Sequence, residues 1–203
     1  VYGDSLDQPL NENCKLKATS VYGKTKIASE NLIREASLSK GIKSICLRYF
    51  NPVGSHKDYV IVEDFQNKPN NLMPRLIETV KNNTNSIDIY GSDYQTGDGT
   101  GERDYIHIID IVEGHMLAMK NIKDIKNIEF YNLGTGIPIS VLSLVKTFNE
   151  VNNLNININF VDRREGDVEI CFADPTKAFN NLNWKAKYDL KEMCKDSWKA
   201  ANV

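Results

Sequence analysis

A chain of 203 residues, 41% of them hydrophobic, is long enough to bury a sizeable core as one domain or as parts of two. Its formal net charge of −2, with both signs interspersed, argues against a nucleic-acid binder. No run of about 18 apolar residues marks a transmembrane helix. Cys14, Cys46, Cys171 and Cys194 lie far apart without metal-ligand spacing, which reads most simply as a reduced intracellular protein.

In chain order, residues 4–19 are polar, carry Pro9 and read as a loop. A helix is predicted from about Ser20 to Ser39, with Ala28, Leu32, Ile33 and Ala36 as its apolar side and Gly41 as its stop. Ser44 to Tyr49 is a short apolar strand, and residues 51–71 form a polar loop long enough to suggest function. Helical spacing resumes at Leu72, Leu76, Ile77 and Val80. Ile87–Tyr90 and Tyr105–Ile109 read as strands on either side of a Gly- and Asp-rich loop. Asp110-Ile-Val-Glu113 has the form of a capping box that opens a helix to about Lys120. Ile128–Leu133 is a strand, and Ser140 suits the N-cap of a helix carrying Val141, Val145 and Phe148. Leu154, Ile156, Ile158 and Phe160 alternate with asparagines, the period of a strand with one solvated face. Asp174-Pro175 reads as N-cap and first residue of a short helix, and Asp189-Leu-Lys-Glu192 as the capping box of the last one. There is no internal repeat and no linker.

The chemistry concentrates in a few blocks. Tyr22 and Lys26 stand four apart, so a helix would place both on one face. A phenol keeps its proton to about pH 10, and a nearby ammonium favours the phenolate. Such a Tyr can serve as general acid and base, although the spacing by itself equally describes a surface pair. Tyr2 lacks the partner, since Leu6 stands four residues on. His107 and His115 have no third ligand at metal spacing, so both read as structural and no metal is expected.

Ser20-Val-Tyr-Gly-Lys-Thr-Lys26 is followed by Leu47-Arg-Tyr-Phe-Asn-Pro-Val-Gly54, Pro69-Asn-Asn-Leu-Met-Pro74, Asp98-Gly-Thr-Gly-Glu-Arg-Asp-Tyr-Ile-His107, Tyr131-Asn-Leu-Gly134 and Arg163-Arg-Glu-Gly-Asp167. In this order, over nearly the whole chain, the blocks resemble the UDP-glucose 4-epimerase (UDP-galactose 4-epimerase) family of extended short-chain dehydrogenase/reductases. The resemblance implies an α/β fold. Residues 1–52 would be the C-terminal remainder of an NAD-binding Rossmann domain. Residues 53–203 would be mainly a smaller α/β UDP-sugar-binding domain, with some segments returning to the Rossmann sheet.

It also implies roles. Tyr22 would take the proton of the sugar 4-hydroxyl while NAD accepts hydride from carbon 4; the 4-ketosugar then turns over and is reduced on its other face. Lys26 would bind the nicotinamide ribose. Phe50 matches a residue packed on the nicotinamide, or is simply core. Asn51 matches a substrate ligand, or is a turn residue. Asn71 and Leu72 match the diphosphate and uridine ribose region, where Asn71 also suits an N-cap. Asp88, Ile89 and Tyr90 match the strand lining the uracil, with Tyr90 stacked on the base or in the core. Arg103 and Arg164 match arginines on the diphosphate, where a guanidinium makes paired charge-assisted bonds. Asp167 matches a carboxylate on the ribose. Cys171 matches the residue bordering the sugar, where a small side chain leaves room for an N-acetyl group; otherwise it is a buried small hydrophobe.

The family carries a glycine-rich pyrophosphate loop near its N-terminus and a catalytic Ser/Thr just before the Val-Tyr-Gly block. Gly97, Gly99 and Gly101 open no helix, and no such loop occurs here. The expectation is a C-terminal part of a longer, cytoplasmic, homodimeric enzyme, inactive by itself. A sibling NAD(P)-dependent nucleotide-sugar dehydratase, decarboxylase or epimerase is the alternative, and a non-catalytic sugar-nucleotide-binding module a third reading.

Overall fold

The computed structural model describes residues 1–3, 5, 7–58 and 69–202. Ser20 caps α1 (Val21–Lys40), its Oγ accepting from the Gly23 N–H at 3.0 Å, and Gly41 ends the helix in the left-handed conformation at φ 67°. β1 (Ser44–Tyr49) follows at the predicted bounds. β2 (Asn51–Val53) forms inside the stretch that reads as loop. The rest of that predicted loop includes residues 59–68, which lie outside the described residues. Next come α2 (Leu72–Lys81), β3 (Ser86–Tyr90), β4 (Glu102–Arg103), β5 (Tyr105–His107) and α3 (Ile108–Asn121). The chain continues through β6 (Ile128–Leu133), β7 (Ile139–Ser140), α4 (Val141–Asn152), β8 (Asn157–Val161), β9 (Ile170–Cys171), α5 (Thr176–Leu182) and α6 (Leu190–Ala200).

Three parallel pairs organise these elements: β1 with β6, β2 with β5, and β3 with β8. Parallel strands need long crossovers, which the helices supply. β4 pairs antiparallel with β7 and parallel with β9, so Arg103 stands opposite Cys171. The fold is α/β with Rossmann-like parallel pairing. One buried cluster joins α2, β3, α4 and α6 through Leu76, Ile89, Leu144, Phe148 and Met193. A second joins β5, β6, α3 and α5 through Ile106, Ile111, Leu133, Ala178 and Trp184.

Several expectations are corrected by tertiary contacts. The N-terminal stretch is tied down rather than simply looped. Leu10 is fully buried and bridges Ala173, and the Tyr2 hydroxyl donates to Asn132 Oδ1 at 2.6 Å. α3 starts at Ile108, before the predicted Asp110 box. Its N-cap is His107, whose Nδ1 accepts from the Ile109 N–H at 3.1 Å. Asp110 is instead buried within the first turn, where its carboxylate accepts from the Lys187 and Tyr188 N–H groups. α5 starts one residue later than predicted, with Pro175 at the N-cap. The predicted strand at 154–160 is β8 at 157–161, because Asn149 holds Leu154 and Ile156 to the end of α4. The expected apolar side of α1 is exposed, Leu32 to 72%. The side facing the described residues carries Gly23, Ser37 and Glu30, the last bonded twice to buried Arg48 at 2.8 and 2.6 Å.

Candidate active site

The helix predicted from Ser20 does place Tyr22 and Lys26 on one face. Lys26 Nζ lies 5.1 Å from the Tyr22 ring centroid, within the range of a cation–π contact, and the Tyr22 side chain is 71% exposed. A phenol so exposed, with an ammonium beside its ring, is open to a bound molecule. Phe50, between β1 and β2, is half-buried and stacks on Tyr2 at 6.4 Å, so one part of its ring serves packing and the remainder is accessible. Asn51 opens β2 with its N–H donating to the Asp104 carbonyl at 2.9 Å, which leaves its exposed side chain outside the strand ladder.

Asp104 fixes the strands beneath. Its buried carboxylate accepts from the Thr135 N–H and hydroxyl, the Gly136 N–H and the Ala173 N–H, at 2.6–3.1 Å. Burial lifts its pKa while these bonds oppose the rise. This junction holds β4 and β5 against the turn after β6 and the segment after β9, and so positions Arg103 and Cys171.

Arg103 is mostly buried. It donates to the Glu102 carbonyl at 2.8 Å and approaches Asp167 at 3.9 Å. The Cys171 thiol across from it has its pKa pushed up, chiefly by burial, with Arg103 pulling the other way, so the group is a neutral, small, half-buried side chain. Arg164 sits with its guanidinium carbon 5.6 Å from the Tyr90 ring centroid. Arg75 of α2 reaches the same ring at 5.5 Å. Its sequence signal is its place one turn beyond Asn71; its meeting with Tyr90 depends on how α2 packs on β3. The Tyr90 ring is thus shared by two guanidinium groups.

Asp88 accepts from Asn159 Nδ2 at 3.4 Å. The Ile89 side chain is buried in the core, so only its main chain is open to a ligand. Asn71 is the N-cap of α2 by position, yet its side chain makes no capping bond, and Leu72 packs against the core. An uncommitted, exposed amide at a helix N-terminus suits an anionic ligand. Asn71 also borders a cavity of about 650 Å³ whose walls include Val53, Met73, Ile77, Ile109 and Ser197. None of the arginines lines it, so that cavity is distinct from the cluster around Tyr90.

Among the described residues no group of three or more His, Cys, Asp or Glu has metal-site geometry, and no helix is long and apolar enough to cross a membrane. His107 is occupied by the α3 cap and by stacking on Tyr188 at 4.1 Å, and His115 Nδ1 lies 2.9 Å from the Ile111 carbonyl.

A family model described as GDP-mannose 4,6 dehydratase matches residues 1–197. The chain belongs to this family. Within the GDP-mannose 4,6 dehydratase family it is similar to a curated UDP-glucose 4-epimerase of Bacillus subtilis. The two are 44% identical over 200 residues, 98% of this chain and 59% of that relative. Among solved structures, a Stenotrophomonas maltophila UDP-glucose 4-epimerase with bound NAD and formylated UDP-arabinopyranose is 38% identical. It superposes with a TM-score of 0.94 over 100% of this chain and 60% of its own. The UDP-Glc/GlcNAc 4-epimerase of Campylobacter jejuni is 30% identical, with a TM-score of 0.81 over 99% of this chain and 61% of its own. The chain thus spans about three fifths of the length of these relatives.

Proposed function

We propose that this chain carries the acid/base pair and the UDP-sugar site of an NAD-dependent UDP-glucose 4-epimerase, which interconverts UDP-galactose and UDP-glucose in galactose metabolism. The observation that carries the reading is Lys26 Nζ at 5.1 Å from the ring of an exposed Tyr22. The Tyr22 phenolate removes the proton of the sugar 4-hydroxyl, and the phenol so formed returns it to the 4-keto oxygen. Lys26 places positive charge where the phenol oxygen becomes negative, and it reaches the cofactor ribose. The exposed phenol, the Lys26 ammonium and the accessible part of the Phe50 ring suit the nicotinamide end of NAD. When bound, NAD supplies hydride acceptance and return.

Arg103 and Arg164 hold the diphosphate, and Asp167, beside Arg103, accepts from the ribose hydroxyls. The free amides of Asn51 and Asn71, with the Leu72 main chain, orient the sugar and diphosphate. The strand Asp88-Ile89-Tyr90 borders the uracil. Cys171, opposite Arg103, borders the sugar, and its small thiol leaves room for UDP-N-acetylglucosamine and UDP-N-acetylgalactosamine. We assign residues 1–52 to the NAD-binding domain and 53–203 mainly to the UDP-sugar domain, and we propose that the complete enzyme is a cytoplasmic homodimer.

The test is an assay of the complete gene product with NAD and UDP-galactose. Formation of UDP-glucose is the expected outcome. A dehydrated or decarboxylated product would transfer the site to a sibling enzyme, and UDP-sugar binding without turnover would make it a binding module.

A further inference from the structure

Four arginines surround the ends of β3, β4 and β8, and they differ in how their charge is met. Arg163 donates to the Asp93 carboxylate at 2.7 Å and lies over Tyr94. Arg103 approaches Asp167 at 3.9 Å. Among the described residues neither the Arg75 nor the Arg164 guanidinium meets a carboxylate or a hydrogen-bond partner; each has only the Tyr90 ring, at 5.5 and 5.6 Å. Asp88, two residues before Tyr90 on the same face of β3, bonds to Asn159 instead. Two like charges, each within 5.6 Å of one ring centroid, lie within about 11 Å of each other, and the ring's quadrupole offsets little of their charge at an exposed site. An anion that bridges them is attracted by both, and planar guanidinium groups bind phosphate oxygens in pairs.

We propose that Arg75 is a further substrate-binding residue, closing with Arg164 on the diphosphate of the nucleotide sugar above Tyr90. The inference rests on the nucleotide-sugar reading of the site and adds to it a residue on α2. Arg75 is four residues beyond Asn71, so the helix presents its guanidinium at the same end as that uncommitted amide. The role is positioning of the phosphates, away from the proton transfer at Tyr22.

Calorimetric titration of the complete protein and of its Arg75→Gln variant with UDP, uridine and inorganic pyrophosphate tests this. Loss of a charge-assisted bond pair is expected to weaken UDP and pyrophosphate by about 10- to 100-fold and to leave uridine unchanged. Arg75→Lys should recover part of the pyrophosphate affinity, since it keeps the charge but not the fork. Unaltered UDP and pyrophosphate affinity in Arg75→Gln overturns the proposal while leaving the nucleotide-sugar reading intact. So does an equal loss for uridine, which marks Arg75 as packing support for Tyr90. Pyrophosphate binding that depends on Arg75, in a protein that does not take UDP, supports the anion site and removes the uridine nucleotide. If the wild-type protein binds neither, both fall.

Discussion

A phenol hydroxyl contributes to proton transfer far more than to holding a large nucleotide sugar, and the Tyr22 ring is 71% exposed, so removing its oxygen disturbs little packing. Tyr22→Phe is therefore expected to lower kcat by roughly 10²–10⁴-fold with UDP affinity nearly unchanged. Steady-state kinetics with UDP calorimetry on the complete enzyme reads both quantities, and normal turnover would remove Tyr22 from the reaction. On the proposed reading, Cys171 bears on substrate breadth. Its half-buried thiol stands across from Arg103, where a tyrosine ring would fill space without adding charge. Cys171→Tyr should abolish turnover of the N-acetylated UDP-sugars and spare UDP-galactose, because added bulk rejects the larger substrate. Wild-type refusal of the N-acetylated sugars would place the size filter elsewhere. Tyr22 and Lys26 could be paired from sequence because their proximity depends only on one turn of helix. Arg75 could not, because its meeting with Tyr90 and Arg164 is made by the packing of α2, β3 and the segment after β8.

Among the elements, capped helices and apolar strands were legible where local chemistry decides them. Ser140 and the Asp189–Glu192 box cap as read, the helix expected from about Ser20 starts at Val21 with Ser20 as its cap, and β1 and β6 keep their predicted bounds. The start of α3 was not legible, because the Asp110 carboxylate is drawn to the N–H groups of Lys187 and Tyr188, far away in sequence. His107 takes the cap instead. Its Nδ1 accepts from Ile109, which requires an unprotonated Nδ1, while Nε2 faces the Asp196 carboxylate at 3.6 Å. Burial holds its pKa below the ordinary 6.5, with Asp196 and Glu192 opposing the shift. A histidine whose folded pKa lies below its unfolded value stabilises the fold above the unfolded value. That contribution is lost as pH falls from 6.5 toward the folded value. Urea midpoints should therefore drop between about pH 7.5 and about pH 5.5. His107→Asn keeps a capping acceptor without the titration, so its drop should be smaller. Equal drops in both proteins would assign the acid sensitivity to other groups.

At the scale of the whole molecule, apolar side chains stay exposed on two helices among the described residues. On α1 they are Val21, Leu32 and Leu38; on α3, Val112, Met116 and Met119, which with Tyr49 and Pro52 enclose a hollow of about 380 Å³. The hollow leads onto β1, a strand paired with β6. Long apolar side chains at this density on two helices exceed the scattered exposure that a monomer surface carries without consequence. The matched relatives extend well beyond the region that this chain aligns to, so their additional residues are candidates to cover such faces. Expressed as these 203 residues alone, the chain is expected to self-associate at micromolar concentration and to bind a hydrophobic dye. The double variant Leu32→Lys, Met119→Lys should shift it toward monomer and reduce dye binding. Both positions are exposed, Leu32 to 72% and Met119 to 74%, so the core is left intact. Sedimentation velocity of both proteins decides it: a wild-type chain that sediments as a dye-free monomer would mean that these faces need no cover.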